Sequence, residues 1–192
     1  MKLLIVTQAV DTEDPVLGFF VRWLEEFARH VERIEVVCLR EGKHALPASV
    51  RVHSLGKERG ISRVKYILNF YRYVWHLRHE YDAVFVHMNQ EYILLGGPLW
   101  RLFGKHIYLW RNHYAGSWLT NLAASFCTKV FCTSAHSYTA KYEKTVMMPV
   151  GVDVERFDSG DRFERKPHSI LFLARIAPSK HPEVLIEALS IL

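Results

Sequence analysis

Short, unbroken apolar runs alternate with amphipathic segments along almost the whole of this 192-residue chain. That alternation restricts the fold more than any other feature. The apolar runs fall at 3–6, 34–39, 50–55, 83–87, 107–110, 130–132 and 146–148. Such continuous runs predict strands buried on both faces, because a strand with one wet face would alternate apolar with polar residues. Between them the spacing predicts helices over 17–31, 62–79, 92–103, 118–126 and 134–142. Phe20, Leu24 and Phe27 form the apolar stripe of the first helix. In the second, Val64, Ile67, Leu68, Tyr71, Val74 and Trp75 do so. Buried strands joined by helical crossovers give a parallel sheet covered on both faces, the doubly wound, Rossmann-like α/β arrangement.

In such a sheet ligands bind at the carboxyl ends of the strands. The loops to watch are therefore 7–18, 87–92, 110–117, 133–135 and 149–153. The first runs Gln8-Ala-Val-Asp-Thr-Glu-Asp-Pro-Val-Leu-Gly18, with one glycine and three acids. The G-x-G-x-x-G fingerprint of a dinucleotide site is absent there, which argues against a nicotinamide or flavin enzyme.

An apolar fraction of 49% against 23% charged residues indicates a folded globular chain. Cys38, Cys127 and Cys132 contain no CxxC pair, so they read as buried free thiols in a reducing compartment, not as a disulfide set or a zinc site. No run approaches the roughly 20 apolar residues that span a bilayer. Met-Lys-Leu-Leu-Ile-Val-Thr reads as a first strand, too short for a signal peptide. The expected location is the cytoplasm, or the cytoplasmic face of a membrane. Charge is uneven. Between Arg40 and Glu80 nine cations face three acids. A local excess of this kind points to one anionic surface or substrate. It lacks any groove-reading motif, so nucleic acid is not the expected partner.

The last quarter has a different organisation. Residues 145–157 read as a strand, a Pro/Gly turn at Gly151 and Asp153, and a polar exit. Residues 158–167 are a polar, turn-rich linker. Ser169-Ile-Leu-Phe-Leu-Ala-Arg-Ile-Ala-Pro-Ser-Lys180 predicts a buried strand that ends on Arg175 and Lys180, and residues from His181 start a helix. Two cations between a strand end and a helix N-terminus suit a diphosphate. The expected organisation is a first domain over 1–157, the linker, and the opening βα unit of a second, truncated domain over 168–192.

The Gly151-Val-Asp153 turn with Phe157, followed by Ala174-Arg-Ile176 and Lys180, resembles the hinge of glycosyltransferase family 4. The family usually has Asn where Val150 stands and Gly where His181 follows the lysine. The resemblance implies the two-domain GT-B fold and transfer of a sugar from a UDP- or GDP-linked donor to a glycan or lipid-linked acceptor, with retention. It implies no metal or other cofactor. It places Arg175 and Lys180 on the donor diphosphate, and Gly18 beside the diphosphate at the start of the first helix, where relief of packing at a helix start would also call for glycine. His113 matches the family's histidine that steadies the donor sugar. It also implies a Glu-x7-Glu pair in the donor domain that residues up to Leu192 do not contain, so the chain alone is expected to turn over little or nothing.

Trp110-Arg111-Asn112-His113-Tyr114-Ala115-Gly116 directly follows a strand. An imidazole here can donate to a sugar hydroxyl without acting as a base. Arg111 suits either an anionic acceptor or a solvated loop. Asn89-Gln90-Glu91 suits acceptor hydroxyls or helix capping, and Ser134 suits a helix cap. On helix 62–79 the residues Lys65, Asn69, Arg72, His76 and His79 form a polar, mostly basic stripe bordered by Tyr66, Phe70 and Tyr73. That stripe fits either peripheral contact with an anionic membrane or plain solvation. The competing reading of the whole chain is a non-catalytic acceptor-binding or membrane-docking module that works with a separate donor-domain chain.

Overall fold

The computed structural model describes residues 1–149, 151, 154–157, 166–174, 176 and 180–191. The chain divides into two units, Met1–Val150 and Gly151–Leu192.

The first unit contains seven strands: β1 (Lys2–Val10), β2 (Arg33–Glu41), β3 (Val50–Ser54), β4 (Ala83–His87), β5 (His106–Trp110), β6 (Lys129–Cys132) and β7 (Thr145–Met147). They form one sheet in the order β3-β2-β1-β4-β5-β6-β7, with every neighbouring pair parallel. The direction of winding reverses between β1 and β4. β1 lies at that reversal, and side-chain alternation sends its residues to two cores. Leu4 and Val6 join the core under α2 (Arg63–His76), α3 (Gln90–Leu102) and α4 (Trp118–Phe126). Leu3 and Ile5 join the core under α1 (Phe19–His30). On that second face α1 contributes Phe20, Val21 and Leu24. Tyr108, Trp110 and Phe131, further along the sheet, are only partly buried. Covering by helices is thus less complete on this face than the continuous strand pattern predicts.

Helix α2 departs further from the sequence reading. Its buried residues are Phe70 and Val74, flanked by Tyr66, Tyr71, Tyr73 and Leu77. Val64, Ile67, Leu68 and Trp75, read above as core, are 66%, 42%, 62% and 52% exposed. Apolar residues occur nearly all round this helix, so periodicity alone does not choose a face. Ring contacts choose it: Phe70 meets Tyr92 at 5.6 Å and Trp100 at 5.9 Å between centroids. Asn69, read above as part of the outer stripe, turns inward and donates from Nδ2 to the Leu55 carbonyl at 3.1 Å.

The helix expected over 134–142 is reduced to a single 3-10 turn, Tyr138–Lys141. Ser134 Oγ accepts the His136 amide at 3.1 Å, and Ser137 Oγ donates to the Arg111 carbonyl at 3.2 Å. Hydroxyls bound to backbone groups in this way compete with helix formation. Ser134 therefore closes a turn and caps no helix.

The second unit contains α5 (Val154–Phe157) and α6 (Pro182–Ile191). The helix after His181 is present as expected. Residues 169–174 form no strand, and Ile170, Leu171 and Leu173 are exposed. A strand of this kind needs hydrogen-bonded neighbours, and no described residue pairs with it. The three cysteines are free and buried, as read from the sequence. No helix among the described residues is long and apolar enough to cross a membrane.

Candidate functional site

At the reversal point His87 closes β4, and Thr7 of β1 lies beside it, its Oγ1 3.1 Å from His87 Nδ1. The imidazole stacks on Phe20 at 4.0 Å and on Trp110 at 5.2 Å between centroids. Burial pushes its pKa down to about 3, so the ring is neutral. His87 is thus a neutral ring fixed in a buried aromatic stack, with its Nε2 lacking a hydrogen-bond partner. The next residue, Met88, has φ 67°, a left-handed conformation rare outside glycine. Its amide donates to the Trp110 carbonyl at 2.7 Å, which ties the exits of β4 and β5 together.

Those two exits enclose a cavity of about 290 Å³ lined by Met88, Asn89, Gln90, Glu91, Arg111, Asn112 and His113. That is near the lower end of the roughly 300–1,000 Å³ usual for small-molecule sites. Six residues singled out in the sequence, Asn89, Gln90, Glu91, Arg111, Asn112 and His113, meet in it. Asn89 stands at the N-cap position of α3, yet its side chain makes no capping hydrogen bond. Asn112 Oδ1 accepts the Thr133 amide at 3.4 Å, linking this loop to the exit of β6.

The Arg111 backbone is held firmly. Its amide donates to the Phe131 carbonyl at 2.9 Å, and its carbonyl accepts from Thr139 Oγ1 at 3.0 Å. Nη2 donates to the Ala115 carbonyl at 2.8 Å, while Nη1 is buried without a partner. Burial lowers the guanidinium pKa, and the nearby Glu91 charge opposes that shift. His113 is exposed and stacks on Tyr114 at 4.9 Å. Its Nδ1 lies 3.0 Å from the Ala115 amide and 3.2 Å from the Ala115 carbonyl. The amide is a fixed donor, so Nδ1 as its acceptor leaves the neutral ring's proton on Nε2. An Nε2–H of this kind can donate to a hydroxyl or an oxyanion.

Gly18 lies at the N-cap of α1, in the loop after β1. A Cβ there would stand 2.7 Å from the Asp14 carbonyl oxygen and 2.9 Å from that of Thr12. Close backbone approach within the loop is sufficient reason for glycine at this position. The same loop neutralises two of the nine cations of the basic window. Arg40 is ion-paired with Asp14, and Lys43 Nζ with Glu13 at 2.8 Å. Parallel pairing of β1 with β2 brings these acids to those bases, which a count along the sequence does not reveal. A second cavity of about 240 Å³ lies here, lined by Gln8, Ala9, Asp14, Leu17, Leu39, Arg40 and Lys57.

In the second unit Lys180 is exposed just before α6, and Gly151 is exposed. Arg175 and Asp153 lie outside the described residues. Among the described residues no group of three or more His, Cys, Asp or Glu side chains is placed to hold a metal ion.

No family model matches this sequence, and no curated sequence is similar enough to align with it. Solved structures do resemble it. Alr3699/HepE of Anabaena, in complex with UDP, superposes with a TM-score of 0.59 at 17% identity, over 84% of this chain and 47% of that one. The lipopolysaccharide outer core galactosyltransferase WaaB, in its apo form, gives 0.54 at 11% identity, over 79% and 46%. MurG of Acinetobacter baumannii gives 0.52 at 10%, over 77% and 45%. The fold is a Rossmann-like domain of the GT-B type. The chain spans a little under half the length of each of these structures.

Proposed function

We propose that this chain supplies the acceptor-binding domain, and the start of the donor domain, of a retaining, family 4-type glycosyltransferase. The donor would be a UDP- or GDP-linked sugar, and the acceptor a glycan or lipid-linked glycan of polysaccharide or glycolipid biosynthesis. The observation that carries this reading is the cavity at the exits of β4 and β5, lined by Asn89, Arg111, Asn112 and His113. Its position next to the winding reversal is where ligands bind in sheets of this kind. All of its lining residues except Met88 carry polar side chains that can pair with hydroxyls. The UDP complex of HepE and the galactosyltransferase named among the similar structures support a nucleotide-sugar donor.

In this reading His113 donates from Nε2 to the donor sugar. Arg175 and Lys180 offset the charge that builds on the departing diphosphate, with Gly18 allowing the first loop to lie against it. Departure and attack take place on the same face, which retains the anomeric configuration. No metal is required when cations carry that charge. The exposed face of α2 would rest on the anionic cytoplasmic leaflet. It combines Val64, Leu68 and Trp75 with Lys65 and Arg72, all exposed, a composition suited to lipid headgroups.

The test is release of UDP or GDP from a panel of nucleotide-hexoses in the presence of glycan acceptors, using the chain and any longer product of its coding frame. Release that falls at least a hundredfold in His113→Ala, with a product of retained configuration by NMR, supports the proposal. Acceptor binding at the cavity without nucleotide release by either product supports the competing non-catalytic module. Neither binding nor release sinks both.

A further inference from the structure

Residues 112–119 are all exposed, and 111–117 belong to no helix or strand. An exposed connection of this kind is ordinarily mobile. His113 stands in it, and a side chain that donates to a reacting sugar has to be held in one direction. The connection between β6 and β7 supplies that restraint. Its 3-10 turn, Tyr138–Lys141, and Ser137 before it aim their donors at the carbonyls of the His113 loop. The Tyr138 amide donates to the His113 carbonyl at 2.9 Å. Thr139 Oγ1 donates to the Arg111 carbonyl at 3.0 Å, and Ser137 Oγ lies within reach of both carbonyls, at 3.2 and 3.4 Å.

The Tyr138 side chain closes the far end of the loop. Its ring lies so close over Gly116 that a Cβ at that position would overlap ring atoms Cγ and Cδ1. Those atoms form the base of the ring, which cannot bend aside as a flexible chain end would. The ring is itself held. Its hydroxyl donates to Asn121 Oδ1 of α4 at 3.2 Å, beside the Tyr142 hydroxyl, which donates to the same oxygen at 2.7 Å. Lys141 Nζ sits 3.8 Å from the ring centroid. Gly116 directly follows Ala115, whose amide and carbonyl both organise the loop. The amide donates to His113 Nδ1 at 3.0 Å, and the carbonyl accepts from Arg111 Nη2 at 2.8 Å.

We infer that Tyr138, seated on Gly116, is a positioning residue for His113. It keeps the 111–116 loop closed on Ala115, and so keeps the imidazole proton on Nε2, where it can be donated. This rests on the reading of His113 given above, and Tyr138 itself touches no substrate.

Nitrogen-15 NMR of the chain at pH 8, where an exposed imidazole is neutral, tests it. The two ring nitrogens of His113 should be well separated in wild type, as a single tautomer requires. Tyr138→Ala should bring them closer together and speed exchange of the Ala115 amide at least tenfold, as local opening does. Gly116→Ala should do the same from the opposite side, and it supplies the reading if the alanine variant at 138 fails to fold. Tyr138→Phe keeps the ring on Gly116 and should restore wild-type behaviour in both measurements. The amides of Val84 and Leu109, in buried strands, should exchange as in wild type throughout, which separates opening of the loop from loss of the fold. Unchanged His113 nitrogens and unchanged Ala115 exchange in both Tyr138→Ala and Gly116→Ala overturn the positioning role. Nucleotide release that His113→Ala does not lower, in a protein whose loop responds as described, overturns the sugar-donating role of His113 and leaves the restraint of its loop standing.

Discussion

Thr7 Oγ1 and His87 Nδ1 meet at 3.1 Å across the two strands between which the sheet reverses its winding. The pair is buried, and the imidazole is sandwiched between Phe20 and Trp110. Directly beyond it Met88 makes its left-handed turn and the cavity begins. Whatever holds His87 in place therefore also anchors the chain where it turns into the cavity at Met88.

Stability should fall in mild acid because of this ring. Burial places its folded pKa near 3, below the ordinary 6.5. A histidine with a depressed pKa stays unprotonated in the folded chain while the unfolded chain takes up the proton. Its contribution is thus fully present above about pH 6.5 and is lost as pH falls toward 3, at up to about 1.4 kcal/mol per pH unit. Urea unfolding between pH 7 and 4 should show that slope. His87→Phe keeps a stackable ring and removes the titration, so its slope should be smaller by close to one proton. An unchanged slope would mean that His87 is hydrated in solution.

Asp14 organises the loop after β1. Its Oδ1 accepts the amides of Leu17 at 2.7 Å and Val16 at 2.8 Å, and Oδ2 pairs with Arg40. The two backbone bonds first, and Arg40 after them, hold its carboxyl below the usual value of 3.8. A carboxylate with a lowered pKa stabilises above its unfolded pKa and loses that effect as pH falls through the folded one. Asp14→Ala should cost about 1–3 kcal/mol in urea unfolding at pH 7. Arg40→Ala should cost less, since the amides carry most of the anchoring. The reverse order would show the ion pair to be the dominant restraint.

Gly18→Ala should destabilise by about 1–3 kcal/mol, the usual cost of forcing atoms into packed space. The atoms in the way are the backbone oxygens of Asp14 and Thr12, which cannot rotate aside as a flexible side chain would. A thermal melt within one degree of wild type would show that the loop opens freely. Glycine would then be needed at this position only for contact with a ligand.

The order of strands and helices was legible because each element has its own short-range pattern: β4 and α4 begin and end where their apolar runs do. What was not legible depends on side chains meeting across the chain. The outward face of α2 was hidden because apolar residues surround that helix, and only the contacts of Phe70 with Tyr92 and Trp100 decide it. Neutralisation of Arg40 and Lys43 was hidden because their partners lie some thirty residues away, at positions 11–14. Asn89, Arg111, Asn112 and His113 could be gathered in advance, since they follow strands that end on the same side of the sheet. Met88 could not, because nothing in its neighbours announces a positive φ.

The outward face of α2 leads to a test of membrane contact. Val64, Leu68 and Trp75 are exposed, and Arg78 stacks on the Trp75 ring at 4.7 Å. A cation over an exposed indole keeps the ring accessible at the surface, where it can enter the headgroup region as the charge meets phosphate. Cosedimentation with vesicles rich in anionic lipid should therefore be strong at low salt and weaken as salt rises, while vesicles of zwitterionic lipid should bind little. The double variant Leu68→Ser, Trp75→Ser should cut binding at least tenfold. Lys65→Glu with Arg72→Glu should do the same and flatten the dependence on salt, since the screened attraction has been removed. Lys65 and Arg72 are exposed, so the charge-reversal variant should unfold within about 0.5 kcal/mol of wild type. Trp75→Ser also loses the ring contacts with Phe103 and Arg78 and should cost more. Folded variants that sediment as well as wild type would show that α2 does not face the bilayer.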